Sequence, residues 1–332
     1  PSNLDRRTRL LIVRLLLAVD LDSLAVCDGD ARARRSRAAA LSWMRPWRSG
    51  HSAEASLPCR SLANGSMDLQ IVDEMTRLAQ LPTHLRQRLE QRSALKVIAG
   101  LMNFEALSVA QVARAAGHGG ADLIDVACDP ELVQLAIRES AGVPVCVSAV
   151  DPELFPAAVA AGAAMVEIGN FDAFYPQGRI FGAAEVFELT RLTRVLLPEV
   201  VLSVTVPHVL PMDQQEQLAV DLVAAGADLI QTEGGTSAKP FSAGSLGLIE
   251  KAAPTLAAAH SISTALKAAD RVVPVLCASG LSAVTVPMAI AAGAAGVGVG
   301  SVVNRLNDEL AMIAVVRGLR EALSTPKSAV IH

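Results

Sequence analysis

Four ionisable side chains of this sequence lie inside or directly after apolar runs, where a charge needs a function or a partner. Lys96, Glu167 and Glu233 occur within such runs, and His208 directly follows one. Glu167 and Glu233 could act as general acid and base, and His208 could shuttle a proton near neutral pH. Lys96 could be an amine nucleophile if burial lowered its pKa. The alternative is a structural lysine–carboxylate network that also contains Asp125.

Small residues at the ends of two late apolar runs indicate an anion site. Ser279 and Gly280 follow the first run, and Gly298, Gly300 and Ser301 end the second. Bare backbone N–H groups at such loop tips, and a helix start that Ser301 would cap, bind phosphate without a cation. We therefore expect a phosphate cup for a phosphorylated metabolite or for a cofactor such as FMN. The alternative is that these glycines only allow tight packing.

Further polar residues follow the fourth and sixth runs. Asn170 and Gln231 would orient a substrate, and Thr232 and Gly234 would contact it. Two long segments begin at the same places: 171–181 holds the single tyrosine and three of the seven phenylalanines, and 232–245 is rich in glycine. They could close over a ligand. They could equally form an aromatic plug or a subunit contact.

Eight apolar runs must position these residues. They start near residues 95, 121, 143, 164, 200, 227, 273 and 295, and Gly-Ala corners alternate with proline as the entry to each run. The runs are continuous rather than alternating, as in parallel strands covered on both faces. Each is separated from the next by enough residues for a helix. The pattern predicts a (β/α)8 TIM barrel, whose functional residues lie at the carboxyl ends of the strands.

Charge and cysteine usage narrow the function classes. Residues 67–332 carry a net charge of −9, against +5 for residues 1–66. An acidic barrel argues against a nucleic-acid surface. The five cysteines form no C-x-x-C pair and are interpreted as reduced core thiols. Histidine and cysteine spacing gives no metal-ligand set, and no stretch reaches the ~18 apolar residues of a membrane span.

Residues 1–66 differ from the rest of the chain. They contain both tryptophans and the basic cluster at 31–37. Three interpretations stay open: a targeting segment, a basic arm for RNA or membrane, and a mis-extended reading frame whose true start is Met67. We favour the last and expect little stable structure before Met67, so the barrel is assigned to residues 67–332.

The phrases at the strand ends resemble one known family. ALKVIAGLMNF, GGADLIDVACDP, VPVCVSAVDP, VEIGNFDAFYPQG, VTVPH, LIQTEGG and CASGLSA with GVGVGSVVN occur in that family's order. It is the plastid and cyanobacterial family known as hypothetical chloroplast reading frame twenty-three. The resemblance covers about residues 67–320 and implies an aldolase-type barrel without implying a reaction. The end of strands 7 and 8 also looks like the phosphate sites of thiazole synthase and FMN-dependent nitronate oxygenases, a likeness of fold only.

Three functions follow as hypotheses. The first is a lyase or isomerase acting on a small phosphorylated metabolite. The second is an FMN-dependent oxidoreductase that uses the same cup, and the third is a non-catalytic metabolite-binding or assembly protein. We expect a cytoplasmic location, or the plastid stroma in a eukaryote, and the sequence leaves a homo-oligomer open.

Overall fold

Eight parallel strands close into a barrel. The computed structural model describes residues 77–235 and 238–324. Each strand is hydrogen-bonded to the next, and the last strand pairs with the first. The strands are β1 Ala94–Gly100, β2 Leu123–Ala127, β3 Val145–Ala149, β4 Met165–Ile168, β5 Val201–Thr205, β6 Leu229–Gln231, β7 Val275–Ala278 and β8 Gly296–Val299. The (β/α)8 prediction is confirmed, with strand starts within two residues of those expected. The predicted N-terminal extension lies outside the described residues.

Helices cover the outside of the barrel. They are α1 Thr83–Glu90, α2 Ala106–Gly119, α3 Pro130–Glu139, α4 Phe155–Ala160, α5 Ala183–Leu196, α6 Met212–Ala224, α7 Gly244–Ala268, α8 Val286–Ala291, α9 Ser301–Asn304 and α10 Glu309–Ser324. The long segment after β4, residues 171–181, contains two 3-10 turns. The long segment after β6 leads into the 25-residue α7. In the described part of the chain, no helix combines the length and apolar character of a membrane span.

The amino end of the barrel is filled by apolar side chains. One inward-facing residue comes from each of β1 to β7 and one directly precedes β8, and two leucines of α1 with one leucine just before it close the end. The cluster comprises Ala94, Leu123, Cys146, Met165, Val201, Leu229, Leu276 and Ala295 together with Leu81, Leu85 and Leu89. Each of these side chains removes apolar area from water, at about 25 cal/mol per Å². This layer is the part of the core that the apolar runs predict.

Polar side chains form the next layer of the interior. Side chains alternate along a strand, so the residue two positions after each member of the apolar layer also faces the interior. In six strands this residue is polar or charged. These residues are Lys96, Asp125, Ser148, Glu167, Ser203 and Gln231, and all are buried. Two positions further, Thr205 and Glu233 face the carboxyl end of the barrel. The barrel is therefore apolar at its amino end and polar from its middle upward.

Candidate functional site

Lys96 is the centre of the polar layer. Its Nζ donates to Glu167 Oε2 at 2.7 Å and to Gln231 Oε1 at 3.1 Å, and it lies 3.3 Å from Asp125 Oδ2. Burial lowers the pKa of Lys96, but the charges of Asp125 and Glu167 outweigh burial and raise it. A nucleophilic amine needs a lowered pKa. The lysine–carboxylate network therefore forms, and the Schiff-base role of Lys96 stays a prediction that this pairing disfavours.

Glu167 accepts hydrogen bonds on both oxygens. Oε2 accepts from Lys96 and, at 2.7 Å, from Ser203 Oγ, while Oε1 accepts from Gln231 Nε2 at 2.7 Å and Asn170 Nδ2 at 3.3 Å. Burial raises the pKa of Glu167, Lys96 lowers it, and Asp125 raises it. Since every contact is with a donor, the geometry suits an ionised carboxylate. Glu167 is held as a fixed anion within the barrel.

Asn170 covers this network on the side of the barrel mouth, which is the carboxyl end of the strands. Its backbone is left-handed, with φ 60° and ψ 47°. That conformation directs Nδ2 to Asp125 Oδ2 at 3.1 Å and to Ser148 Oγ at 3.0 Å, in addition to Glu167. Asn170 and Gln231 were expected to orient a substrate. Gln231 is buried within the network, whereas Asn170 is half-buried and is the member nearest to solvent.

A second cluster lies at the mouth and is centred on Glu233. Its Oε1 accepts from the backbone N–H of His208 at 3.1 Å, lies 3.1 Å from His208 Nδ1, and accepts from the Tyr175 hydroxyl. Its Oε2 accepts from the backbone N–H of Asp172 at 3.3 Å. Asp172 Oδ1 lies 3.5 Å from His208 Nδ1. The loop after β4 and the ends of β5 and β6 thus bring a histidine, a tyrosine and two carboxylates together.

The environment of this cluster shifts three pKa values upward. Burial raises the pKa of Glu233, the hydrogen bonds of His208 and Tyr175 lower it, and the charge of Asp172 raises it. Burial lowers the pKa of His208, but the hydrogen bond and charge of Glu233, with the charge of Asp172, raise it overall. Burial and Glu233 raise the pKa of Tyr175. Glu233 and His208 therefore lie close enough to share a proton, and the pKa of each is raised above its ordinary value.

Glu167 and Glu233, the two expected acid–base groups, have different charged neighbours. Glu167 is paired with Lys96 in the middle layer, and Glu233 is paired with His208 at the mouth. Burial is the largest cause of the raised pKa of both groups, and the charges acting on them come from different neighbours. The alternation of side chains separates them, because Glu233 is one inward position further along its strand direction. Only Glu233 belongs to the mouth.

The loops of the expected phosphate cup pack closely against each other. Ser279 and Gly280 are both left-handed, with φ 74° each, and Ser279 Oγ donates to Asp172 Oδ2 at 2.9 Å. A Cβ on Gly280 would lie 2.7 Å from the Cα of Gly235, so this glycine permits close packing of the two loops. Gly300, rather than Ser301, is the N-cap residue of α9 and makes no side-chain cap. That correction follows from α9 being one turn long.

Three other residues expected in the site have structural partners. Thr232 is buried, with its hydroxyl 2.6 Å from Thr255 Oγ1 and accepting from the backbone N–H of Ala278 at 3.2 Å. A Cβ on Gly298 would meet Ala278 Cβ at 2.9 Å, and one on Gly234 would meet a proline carbon at 3.1 Å. Their contact with a ligand stays a prediction. A Cβ on Gly300 would also meet a close neighbour, the carbonyl oxygen of Ile98 at 3.3 Å.

The aromatic residues of segment 171–181 form a plug rather than a flexible lid. Phe171, Phe174 and Phe181 are buried, and the ring centroids of Phe171 and Phe181 are 4.5 Å apart. Arg179 stacks on Phe181 at 4.1 Å. This packing fixes the loop that carries Asp172 and Tyr175, two site residues that sequence reasoning had placed only within a long loop. Segment 232–245 differs, because Phe241 is fully exposed.

One group of side chains has the chemistry to hold a cation. A carboxylate oxygen of Asp172, a nitrogen of His208 and a carboxylate oxygen of Glu233 lie within 4.8 Å of one another. Histidine nitrogen with two carboxylates is a donor set found at transition-metal sites. The spacing of these residues along the sequence had given no sign of the group. A shared proton on His208 fits the same geometry.

Comparison with other proteins establishes the family. The model of a family described as Protein of unknown function (DUF561) matches residues 81–329. A protein of Cyanophora paradoxa called Uncharacterized protein ycf23 is 43% identical over 225 residues, which are 68% of this chain and 90% of the relative. The protein of the same name from Pyropia yezoensis is 36% identical over 232 residues, 70% and 83% of the two chains.

Solved structures with a similar chain trace are more distant. An aldolase called QR15 is 18% identical, with a TM-score of 0.49 and coverage of 70% of this chain and 96% of that one. Thiamine phosphate pyrophosphorylase from Pyrococcus furiosus is 18% identical, with a TM-score of 0.45 and coverage of 71% and 98%. The chain belongs to the DUF561 family, and it is similar to ycf23 proteins over most of their length.

Proposed function

We propose that this protein is an enzyme that binds a small phosphorylated metabolite at the barrel mouth and acts on it by lyase or isomerase chemistry. The observation that carries the proposal is the contact between Glu233 and His208 at 3.1 Å, with Tyr175 on the same carboxylate. Buried ionisable pairs with raised pKa values at the carboxyl ends of barrel strands are typical of acid–base sites.

Each group has a defined task in this proposal. Glu233, whose pKa is raised by burial, is a better base near neutral pH than an ordinary carboxylate and takes a proton from the substrate. His208, whose pKa is raised by Glu233, returns a proton to the product. Tyr175 keeps its proton and holds the position of Glu233. Returning the proton to a neighbouring carbon gives an isomerase, and breaking a carbon–carbon bond first gives a lyase.

The phosphate is assigned to the loops after β7 and β8. The backbone N–H groups of 301 and 302 open α9 and so lack carbonyl partners in the preceding turn. Ser279, bonded to Asp172, would link the phosphate side of the site to the acid–base cluster. A Cβ on Gly300 would lie 3.3 Å from the carbonyl oxygen of Ile98, so a side chain here would crowd the start of α9.

The experiment is a binding screen of the purified full chain against inorganic phosphate and a panel of sugar and triose phosphates. Thermal unfolding detects a ligand because a concentration of 100 times Kd stabilises the native state by about 2.7 kcal/mol. Gly300→Asp should abolish that stabilisation, and the melting temperature of the free variant is measured beside it because the new Cβ would lie 3.3 Å from the carbonyl oxygen of Ile98. Gly182→Asp is the matched control, since Gly182 is an open position at the start of α5. If Gly300→Asp binds every hit as tightly as the unaltered protein, the cup is not where phosphate binds.

The same cup could hold the phosphate of FMN. A flavin absorption band in the purified protein would show that FMN, and not a metabolite, is the ligand. Tight binding of a metabolite without turnover would favour a non-catalytic role. We further propose that the protein acts in the cytoplasm or plastid stroma, a location supported by three buried free thiols, Cys128, Cys146 and Cys277.

A further inference from the structure

A cavity at the opposite end of the barrel carries the further inference. It has a volume of about 920 Å³ and lies beside the starts of β6, β7 and β8, between α1 and the end of α7. Pockets that bind organic ligands have volumes of about 300–1,000 Å³. Its walls include the apolar side chains of Leu89, Leu266 and Val273. The mouth described above is at the other end of the strands, so this is a separate space.

Three polar atoms in the walls of the cavity lack partners. Six buried side-chain nitrogen and oxygen atoms have no hydrogen bond in the described part of the chain, and three of them belong to residues that line this cavity. They are Arg86 Nε, Ser263 Oγ and Arg271 Nε. A buried donor without a partner is unfavourable, so three of them in the walls of one cavity favour a ligand that accepts hydrogen bonds from the same side chains.

The charges of the cavity favour an anion. Arg86, Lys267 and Arg271 line it, and none of the three forms an ion pair within the described residues. Asp228, which also lines it, is already neutralised by Arg77 Nε and Arg194 Nη2, each at 2.8 Å. The remaining acids, Glu90 and Asp270, are exposed, and so is Lys267. The half-buried charges of the cavity that lack an ion pair within the described residues therefore include the guanidinium groups of Arg86 and Arg271.

We propose that this cavity binds an amphipathic organic anion, with a phosphate or carboxylate group against Arg271, Ser263 and Arg86 and an apolar tail along the leucine and valine walls. Guanidinium groups bind both head groups through charge-assisted hydrogen bonds, and burial of the tail adds about 0.8 kcal/mol for each methylene. The proposal does not depend on the function assigned to the mouth.

Calorimetric titration of the full chain with four probes tests this proposal. The probes are octyl phosphate, octanoate and octyl glucoside, each below its critical micelle concentration, and inorganic phosphate. The two amphipathic anions should bind, and the neutral glucoside and the tail-less phosphate should bind at least ~10-fold more weakly. The ratio between octyl phosphate and octanoate identifies the preferred head group. Equal binding of octyl glucoside would overturn the anion assignment, and no binding of either anion would overturn the site.

Variants locate the binding. Arg271→Gln should raise the Kd of the tighter anion at least ~10-fold, the scale of one charge-assisted hydrogen bond, and Ser263→Ala should raise it several-fold. Arg138→Gln is the matched control, because Arg138 is an exposed arginine on α3 that does not line the cavity. Gly300→Asp at the mouth should leave octyl phosphate binding unchanged. An unchanged Kd in Arg271→Gln, or loss of binding in Gly300→Asp, would contradict the proposed site.

Discussion

Replacing Lys96 by methionine removes the positive charge that contacts two buried carboxylates of the barrel, Asp125 and Glu167. Nζ lies 2.7 Å from Glu167 and 3.3 Å from Asp125. At an effective dielectric constant of ~20 these contacts are worth about 6 and 5 kcal/mol before the desolvation of the lysine is subtracted. Desolvation cancels much of this, and breaking a buried ion pair from one side costs about 3–5 kcal/mol in practice.

We therefore expect Lys96→Met to lower the free energy of unfolding by about 3–5 kcal/mol, and the melting temperature by about 10 °C for a domain of this size. Glu167 limits the loss, because it can take up a proton when Lys96 is gone, at about 1.4 kcal/mol per pH unit. The variant should consequently be less stable at pH 8 than at pH 6. Denaturant titration of the variant and the unaltered protein at both pH values measures the effect.

Two further variants make this experiment decisive. Lys267→Met is the control, since Lys267 is exposed and its loss should change stability by no more than about 0.5 kcal/mol. Lys96→Met combined with Glu167→Gln removes one stranded charge and should be more stable than Lys96→Met alone. A loss below 1 kcal/mol in Lys96→Met would refute the reasoning, because the charges would then not depend on each other.

Three further predictions concern the mouth and the thiols. Glu233→Gln should lower turnover at least ~100-fold while phosphate affinity, measured by calorimetry, stays within a few-fold; full activity would make Glu233 structural. Because Glu233 outweighs the effect of burial and raises the pKa of His208, His208 stabilises the fold below pH ~6.5 and loses that effect as pH rises through its folded pKa. The difference in unfolding free energy between the unaltered protein and His208→Gln should shrink accordingly from pH 6 to 9, and a constant difference would contradict this. Burial raises the pKa of Cys128 to about 12 and of Cys277 to about 11, and that of Cys146 as well, so Ellman's reagent should label none of the three until the protein is unfolded.

The sequence predicts the strands well because the turns that lead into them depend on nearby residues. The glycines of the Gly-Ala corners are left-handed, as a tight turn from helix to strand requires, with φ 85° at Gly120 and 109° at Gly162. Proline at the other entries stops the preceding helix. Neither signal depends on distant residues. For this reason the order and the starts of all eight strands could be inferred without knowing how the strands pair.

The site is harder to predict because it depends on register across the barrel. Sequence reasoning singled out Lys96, Glu167 and Glu233, but it read the strands as uniformly apolar and so missed their alternation. A polar residue two positions after the first inward residue recurs in six strands, and this period would have placed Glu167 and Gln231 in one layer. The contacts of Asp172 and Tyr175 come from a loop whose path is set by buried phenylalanines, and no local pattern predicts that path.

The two layers explain why two glutamates with similar surroundings in the sequence have different chemistry. Glu167 is held by four donors, including a permanent cation, so moving a proton to it would break hydrogen bonds inside a closed network. Glu233 is held by neutral donors and by His208, which can itself gain or lose a proton. A proton can therefore move between Glu233 and His208 without leaving a stranded charge in the interior. In the proposed acid–base role, the Lys96 network below holds the strands from whose ends Glu233 and His208 project.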